Sequence, residues 1–113
     1  MTHIKNESQI AIKMFDFYKL FYLEIKKWPK PERYNLGKKC ENIILEIFEN
    51  LLIAWRQTEK QKLLFNANIK LQILKNLIRL GKDIQVINIK KYLFLEKELF
   101  EIGKMLGGWL KSI

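Results

Sequence analysis

The stretch TEKQKLLFNANIKLQILKNLIRLG, residues 58–81, decides the fold. Leu64, Ala67, Leu71, Leu74 and Ile78 recur at steps of three and four, which places them on one face of a helix turning about 100° per residue. Thr58 with Gln61 has the form of a capping box and predicts the start of that helix. Gly81 stands where its C-terminus is expected. A second apolar line, Phe65, Ile69, Ile73 and Leu80, runs along the side away from Leu71 and Ile78. The remaining positions carry Lys60, Lys62, Lys70, Lys75 and Arg79, with Lys82 just beyond, and no acid lies between Glu59 and Asp83.

The same period extends outward in both directions. Ile10, Met14, Phe17, Phe21, Ile25 and Trp28 predict a helix over about Ser8 to Lys27, ended by Trp28-Pro29-Lys30-Pro31, because a residue before proline is pushed out of the α region. A second helix opens near Pro31 with Glu32 in its first turn and runs through Leu36, Cys40, Ile43, Ile47, Leu51 and Ala54 to about Arg56. Asn88 is the expected N-cap of a fourth, whose inward face is Tyr92, Leu95, Leu99, Ile102, Leu106 and Trp109. Short connections force neighbouring helices to run antiparallel. The expected fold is all-α, an up-down-up-down four-helix bundle forming a single domain over residues 1–113, with 1–7 as a flexible tail.

Composition narrows the class further. The 113 residues are 49% hydrophobic and 29% charged, enough for one core and too apolar for a disordered tail. No run of about eighteen uncharged apolar residues exists, so no membrane partner is expected. The N-terminus, Met1 to Glu7, has no apolar signal core, which predicts a cytoplasmic protein. The single cysteine, Cys40, excludes an internal disulfide and a cysteine-based metal cage.

The helices hold more apolar surface than one bundle needs, since Phe15, Tyr22 and Leu23 also lie off the main stripe of the first. Association between copies is the favoured explanation, and a widened core in a compact monomer is the other. Charge is equally uneven. The 21 Lys and Arg exceed the 12 Asp and Glu by nine, and the sequence pI is about 9.7. Residues 31–57 are neutral, whereas residues 58–87 hold six bases against Glu59 and Asp83. Lys75, Arg79 and Lys82 fall within about 60° on the helical wheel, beside Asn68 and Gln72. Long cations interleaved with amides suit a phosphate backbone, which needs charge and donors. A lysine-rich compositional bias is the competing explanation.

Nothing in the pattern points to catalysis, a metal or a cofactor. The only histidine, His3, lies in the expected tail, and Ser8, Ser112, Thr2 and Thr58 have no histidine placed to activate them. Cys40 shares the apolar face of Leu36 and Ile43, as a buried inert thiol would. Glu46 and Glu49 read as solvated carboxylates, and the Glu-x-x-His pairs of a di-iron bundle are missing. Near the C-terminus, Gly103, Gly107 and Gly108 precede Trp109 in a pattern that suits close helix packing or contact between protomers.

Two motifs carry a resemblance. Trp28-Pro29-Lys30-Pro31-Glu32-Arg33-Tyr34-Asn35-Leu36-Gly37 is similar to the Pro-x-x-Glu-Arg-x-x-Leu-Gly opening of a helix in bacterial four-helix-bundle proteins. Glu101-Ile102-Gly103-Lys104-Met105-Leu106-Gly107-Gly108-Trp109-Leu110-Lys111-Ser112 resembles the C-terminal signature of one branch, the Avd (accessory variability determinant) proteins of diversity-generating retroelements. The resemblance runs from about Phe17 to Ser112, and its C-terminal half is the more specific. A related branch, encoded in intervening sequences of ribosomal RNA genes, shares the bundle and the first motif.

The Avd resemblance implies a basic homopentameric barrel, without a catalytic site, that binds nucleic acid. It implies association with the element's reverse transcriptase, which copies a template RNA into cDNA mutated at adenines. Lys60, Lys62, Lys70, Lys75, Arg79, Lys82, Lys90 and Lys91 are the residues expected to meet template RNA, cDNA or an RNA–DNA hybrid. Glu32, Arg33 and Gly37 are expected to organise the start of the second helix. The alternatives are a protein of the ribosomal RNA intervening-sequence type and a basic adaptor docking an acidic protein.

Overall fold

The computed structural model describes the backbone of residues 2–113 and the side chains from Gln9 onward. Helix α1 spans Thr2–Ile25, so its backbone begins N-terminal of the Ser8 start expected from sequence; the reading of residues 1–7 as a tail concerns side chains outside those described. Helix α2 is built in three consecutive pieces: an α-turn Lys30–Glu32, a π-helical turn Arg33–Gly37 and an α-helix Lys38–Arg56. Helices α3 and α4 span Gln61–Asp83 and Ile89–Lys111. Each helix packs on two neighbours in ring order, α1 on α2 and α4, and α3 on α2 and α4. The result is an antiparallel four-helix bundle 44 × 22 × 19 Å in extent, and the described residues contain no strand.

The predicted stripes form the core. Ile10, Met14, Phe17, Phe21, Ile25 and Trp28 of the first segment are all buried, as are Cys40, Ile43, Ile47, Leu51 and Ala54 of the second. All five stripe residues of α3 and all six of α4 join them, while Leu36 is half-buried. The second apolar lines do not. Phe65, Ile69, Ile73 and Leu80 are 44–58% exposed, and Phe15, Tyr22 and Leu23 are exposed on α1. These residues therefore do not widen the core of a single chain.

Helix ends follow the sequence in part. Pro29 begins α2 in extended geometry, and the Arg33 amide donates to its carbonyl at 2.9 Å. Asn88 caps α4 as expected, its side chain accepting from the Lys91 amide at 2.8 Å. The expected capping box of Thr58 and Gln61 does not form. Gln57 is extended, the chain turns over residues 57–60, and Lys60 occupies the N-cap position without a side-chain cap.

The end of α3 also departs from expectation, because Gly81 is a buried helical residue rather than the terminal one. A Cβ there would stand 2.9 Å from Ile87 Cδ1, so the glycine makes room for the chain's return. Termination falls to Gln85, at φ 69°. The Val86 amide donates to the Gly81 carbonyl at 2.9 Å and the Gln85 amide to that of Lys82 at 3.0 Å, the two bonds of a Schellman motif. A left-handed conformation costs an L-residue about 1–2 kcal/mol and glycine almost nothing. Gln85→Gly is expected to stabilise the fold by about 1 kcal/mol, seen as a higher urea midpoint with an unchanged slope.

Candidate nucleic-acid interface

The basic residues of α3 fall into three groups. Lys75, Arg79 and Lys82 share the flank that faces α4, as the wheel predicts. The Lys75 ammonium lies near Gly103, 3.5 Å from where a Cβ would stand, and Lys82 sits 4.8 Å over the Tyr92 ring. Lys70 lies on the other flank and pairs with Glu46 of α2 at 3.5 Å. Lys60 and Lys62 occupy the start of α3, about 30 Å along the axis from Lys82 at 1.5 Å per residue. Lys60 packs 5.5 Å over the ring of Trp109, and Lys62 is exposed.

An acid-free stretch of sequence thus does not leave every base free. Lys70 finds its acid on the neighbouring helix, and Lys82 lies 3.3 Å from the Asp83 carboxylate. Lys75 and Arg79 have no acid within ion-pair distance among the described residues. Lys90 is exposed at the start of α4, and Lys91 lies 5.3 Å over Phe94.

Tyr92, in the first turn of α4 beneath Lys82, donates its hydroxyl to Glu96 at 2.9 Å. Burial first, then that bond, holds the phenol above its ordinary range, so it stays neutral beside the cations. On the α1 side, Lys13 and Glu101 form an ion pair of 3.0 Å. Their hydrogen bond raises the lysine and lowers the carboxyl.

The two sequence motifs occupy structural positions. Gly37 is buried at the α1–α2 corner, where a Cβ would contact Ile25 and Trp28 at 3.5 Å. Arg33 reaches back to the Trp28 carbonyl at 3.4 Å, and Glu32 lies in the first turn of α2. Gly103 packs against Leu71, whose Cδ2 is 3.4 Å from a would-be Cβ. Gly107 and Gly108 differ, since a Cβ on either would meet nothing within 4 Å. They do not serve packing inside the protomer. Trp109 is buried as expected, with no hydrogen-bond partner for its Nε1.

Among the described residues no His, Cys, Asp and Glu side chains gather into a group that would hold a metal ion, and no helix is long and apolar enough to cross a membrane. Cys40 is fully buried, and burial pushes its thiol up to about 12. As the thiolate is the nucleophile, Ellman's reagent is expected to leave the folded protein unlabelled at pH 8 and to titrate one thiol after unfolding.

Three residues were missed from sequence: Lys97, Lys104 and Lys111 continue from the expected Lys90 at spacings of seven, all exposed, along the outer face of α4. The spacing was visible in the sequence; the orientation of that face to solvent was not.

The helices and their exterior define a basic four-helix bundle. The chain matches the bAvd-like family over residues 9–113, nearly its whole length, and belongs to that family. Membership points to an accessory protein of a diversity-generating retroelement. No curated protein and no solved structure matches the chain.

Proposed function

We propose that the protein is a non-catalytic, nucleic-acid-binding subunit that works with the reverse transcriptase of a diversity-generating retroelement while template RNA is copied into mutated cDNA. Family membership carries this reading. The excess of nine positive charges supports it, because a polyanion is the partner that such a surface attracts over a Debye length. Its role is that of an electrostatic scaffold holding template and cDNA near the polymerase.

Assembly is part of the proposal. The bundle carries two different exposed apolar areas, one on α1 and α2 around Ile12, Phe15 and Leu52, the other on α3 around Phe65, Ile69 and Ile73. Two unlike patches on different sides favour head-to-tail contact, which closes into a ring when the rotation permits. A pentamer would carry about +45, five times the protomer's charge, and many weak contacts would then sum to avidity.

Reverse transcription in vitro tests the function. The retroelement's polymerase and template RNA should give adenine-mutated cDNA with this protein present and little or none without it. Equal cDNA in both reactions rejects the accessory role. Sedimentation velocity at low micromolar concentration tests the assembly, and a single 13.6 kDa species overturns it.

A further inference from the structure

We propose that the outer face of α4 is a track for single-stranded nucleic acid, with Lys90, Lys97, Lys104 and Lys111 holding phosphates and Phe100 offering its ring to a base. This rests on the nucleic-acid reading above and adds to it a second row of cations, on α4, that adjoins the Arg79 and Lys82 flank at Lys75, and a strand preference.

The lysine row supplies the first part. Residues seven apart on an α-helix drift only about 20° per step, so the four ammonium groups line up along about 32 Å at intervals of about 10.5 Å. None of them is within ion-pair distance of an acid among the described residues. Two nearby acids have partners of their own, Glu101 in Lys13 at 3.0 Å and Glu96 in the Tyr92 hydroxyl at 2.9 Å, while Lys97 and Lys104 also act on Glu101 through space. Between Lys104 and Lys111 the glycines 107 and 108 leave the helix backbone uncovered, with open space where side chains would stand. A phosphodiester chain can approach closely there.

The aromatic beside the row supplies the second. Phe100 is 59% exposed, an unusual position for so large an apolar ring. With Leu93 it forms the apolar wall of a depression between α3 and α4, and Lys75 and Lys97 stand at the same depression with Glu96. A ring flanked by cations from two helices matches the needs of an unpaired nucleotide, whose base has a free π-face and whose phosphates lie to either side.

A duplex fits less well. Its bases are already stacked on each other, so Phe100 gains nothing, and its phosphates spiral away from a straight row. A second copy docking through the same face also fits poorly here, because two such rows would set like charges against each other.

Fluorescence anisotropy with the full chain tests the track, using a 20-nucleotide oligouridine, an oligothymidine of equal length and an RNA hairpin of equal charge. Phe100→Ala is expected to weaken both single strands about 5- to 150-fold and the hairpin little, the range of one lost base stack. Phe100→Tyr should restore the affinity. Lys97→Gln with Lys104→Gln should flatten the slope of log K against log salt by about 1.4, two phosphates at about 0.7 each.

Equal losses for single strand and hairpin overturn the strand preference. A changed sedimentation coefficient with unchanged binding makes this face a contact between copies and overturns the track. If the α4 variants bind like wild type while Arg79→Glu with Lys82→Glu does not, the track falls and nucleic-acid binding stands. If the wild-type chain binds none of the three probes, both fall. The oligouridine and oligothymidine arms show whether the track prefers RNA or cDNA.

Discussion

Trp28→Ala is expected to lower the unfolding free energy by about 3–5 kcal/mol, the usual cost of deleting a fully buried indole. Trp28 is 2% exposed and packs edge-on against Phe21 with centroids 5.6 Å apart. Its indole Nε1 donates to Glu24 at 3.2 Å, and its carbonyl accepts from Arg33. Glu24 is itself buried, and Lys27, its remaining partner, reaches it only at 3.8 Å. Truncation therefore opens a cavity and also leaves a buried carboxylate short of a donor, and the two effects act in the same direction. For a domain of this size the loss corresponds to roughly 10–25 °C in the thermal midpoint. Circular dichroism at one fixed protein concentration would measure it, since the proposed association would make the midpoint concentration-dependent. Trp28→Phe separates the two contributions, because it keeps most of the ring and removes the N–H, for about 1–3 kcal/mol. A midpoint shift under 3 °C for the alanine variant would mean that the corner is held by something else.

That corner also marks the limit of what the sequence discloses. Helical periodicity revealed the core stripes of all four helices, because burial on one face leaves a direct imprint on residue order. The π-turn at Arg33–Gly37 leaves no such imprint. It adds one residue to a turn, and the contacts that define it, Gly37 against Ile25 and Trp28, join segments on both sides of a proline. The end of α3 misled for a related reason. Glycine is the usual C-terminal residue of a helix, but Gly81 is needed one turn earlier, where Ile87 folds back, so Gln85 takes the left-handed position. For the basic surface, one-dimensional charge counting found the excess on α3 and missed its partners. Glu46 is 24 residues before Lys70, and only the packing of α2 on α3 brings them to 3.5 Å. On α4, Lys90 and Lys91 were expected from sequence, whereas Lys97, Lys104 and Lys111, which share that helix with Glu96, Glu98 and Glu101, were passed over. In three dimensions Glu96 accepts from the Tyr92 hydroxyl and Glu101 pairs with Lys13, so neither forms an ion pair with the row of four lysines.

Replacing Lys75, Arg79 and Lys82 together by glutamate is expected to have the largest effect on binding. Each exchange removes two units, so the formal charge falls from +9 to +3 per chain. In the proposed ring the change would repeat in every protomer, and single-stranded RNA affinity near 0.1 M salt should fall by at least about 100-fold. If all three contact phosphates, the slope of log K against log salt flattens by about 2, three contacts at about 0.7 each. Lys82 already shares its charge with Asp83, so a flattening nearer 1.4 would assign the contacts to Lys75 and Arg79. Helicity should survive, because none of the three side chains belongs to the core. Lys70→Glu is the informative control. Its ammonium is held by Glu46, and reversal would set two carboxylates together across α2 and α3. It should therefore cost up to about 1 kcal/mol of stability while weakening RNA binding less than Arg79→Glu does. The opposite ranking would place the RNA on the α2–α3 side of the bundle. An unchanged affinity and slope in the triple variant would remove the Lys75, Arg79 and Lys82 flank from the interface.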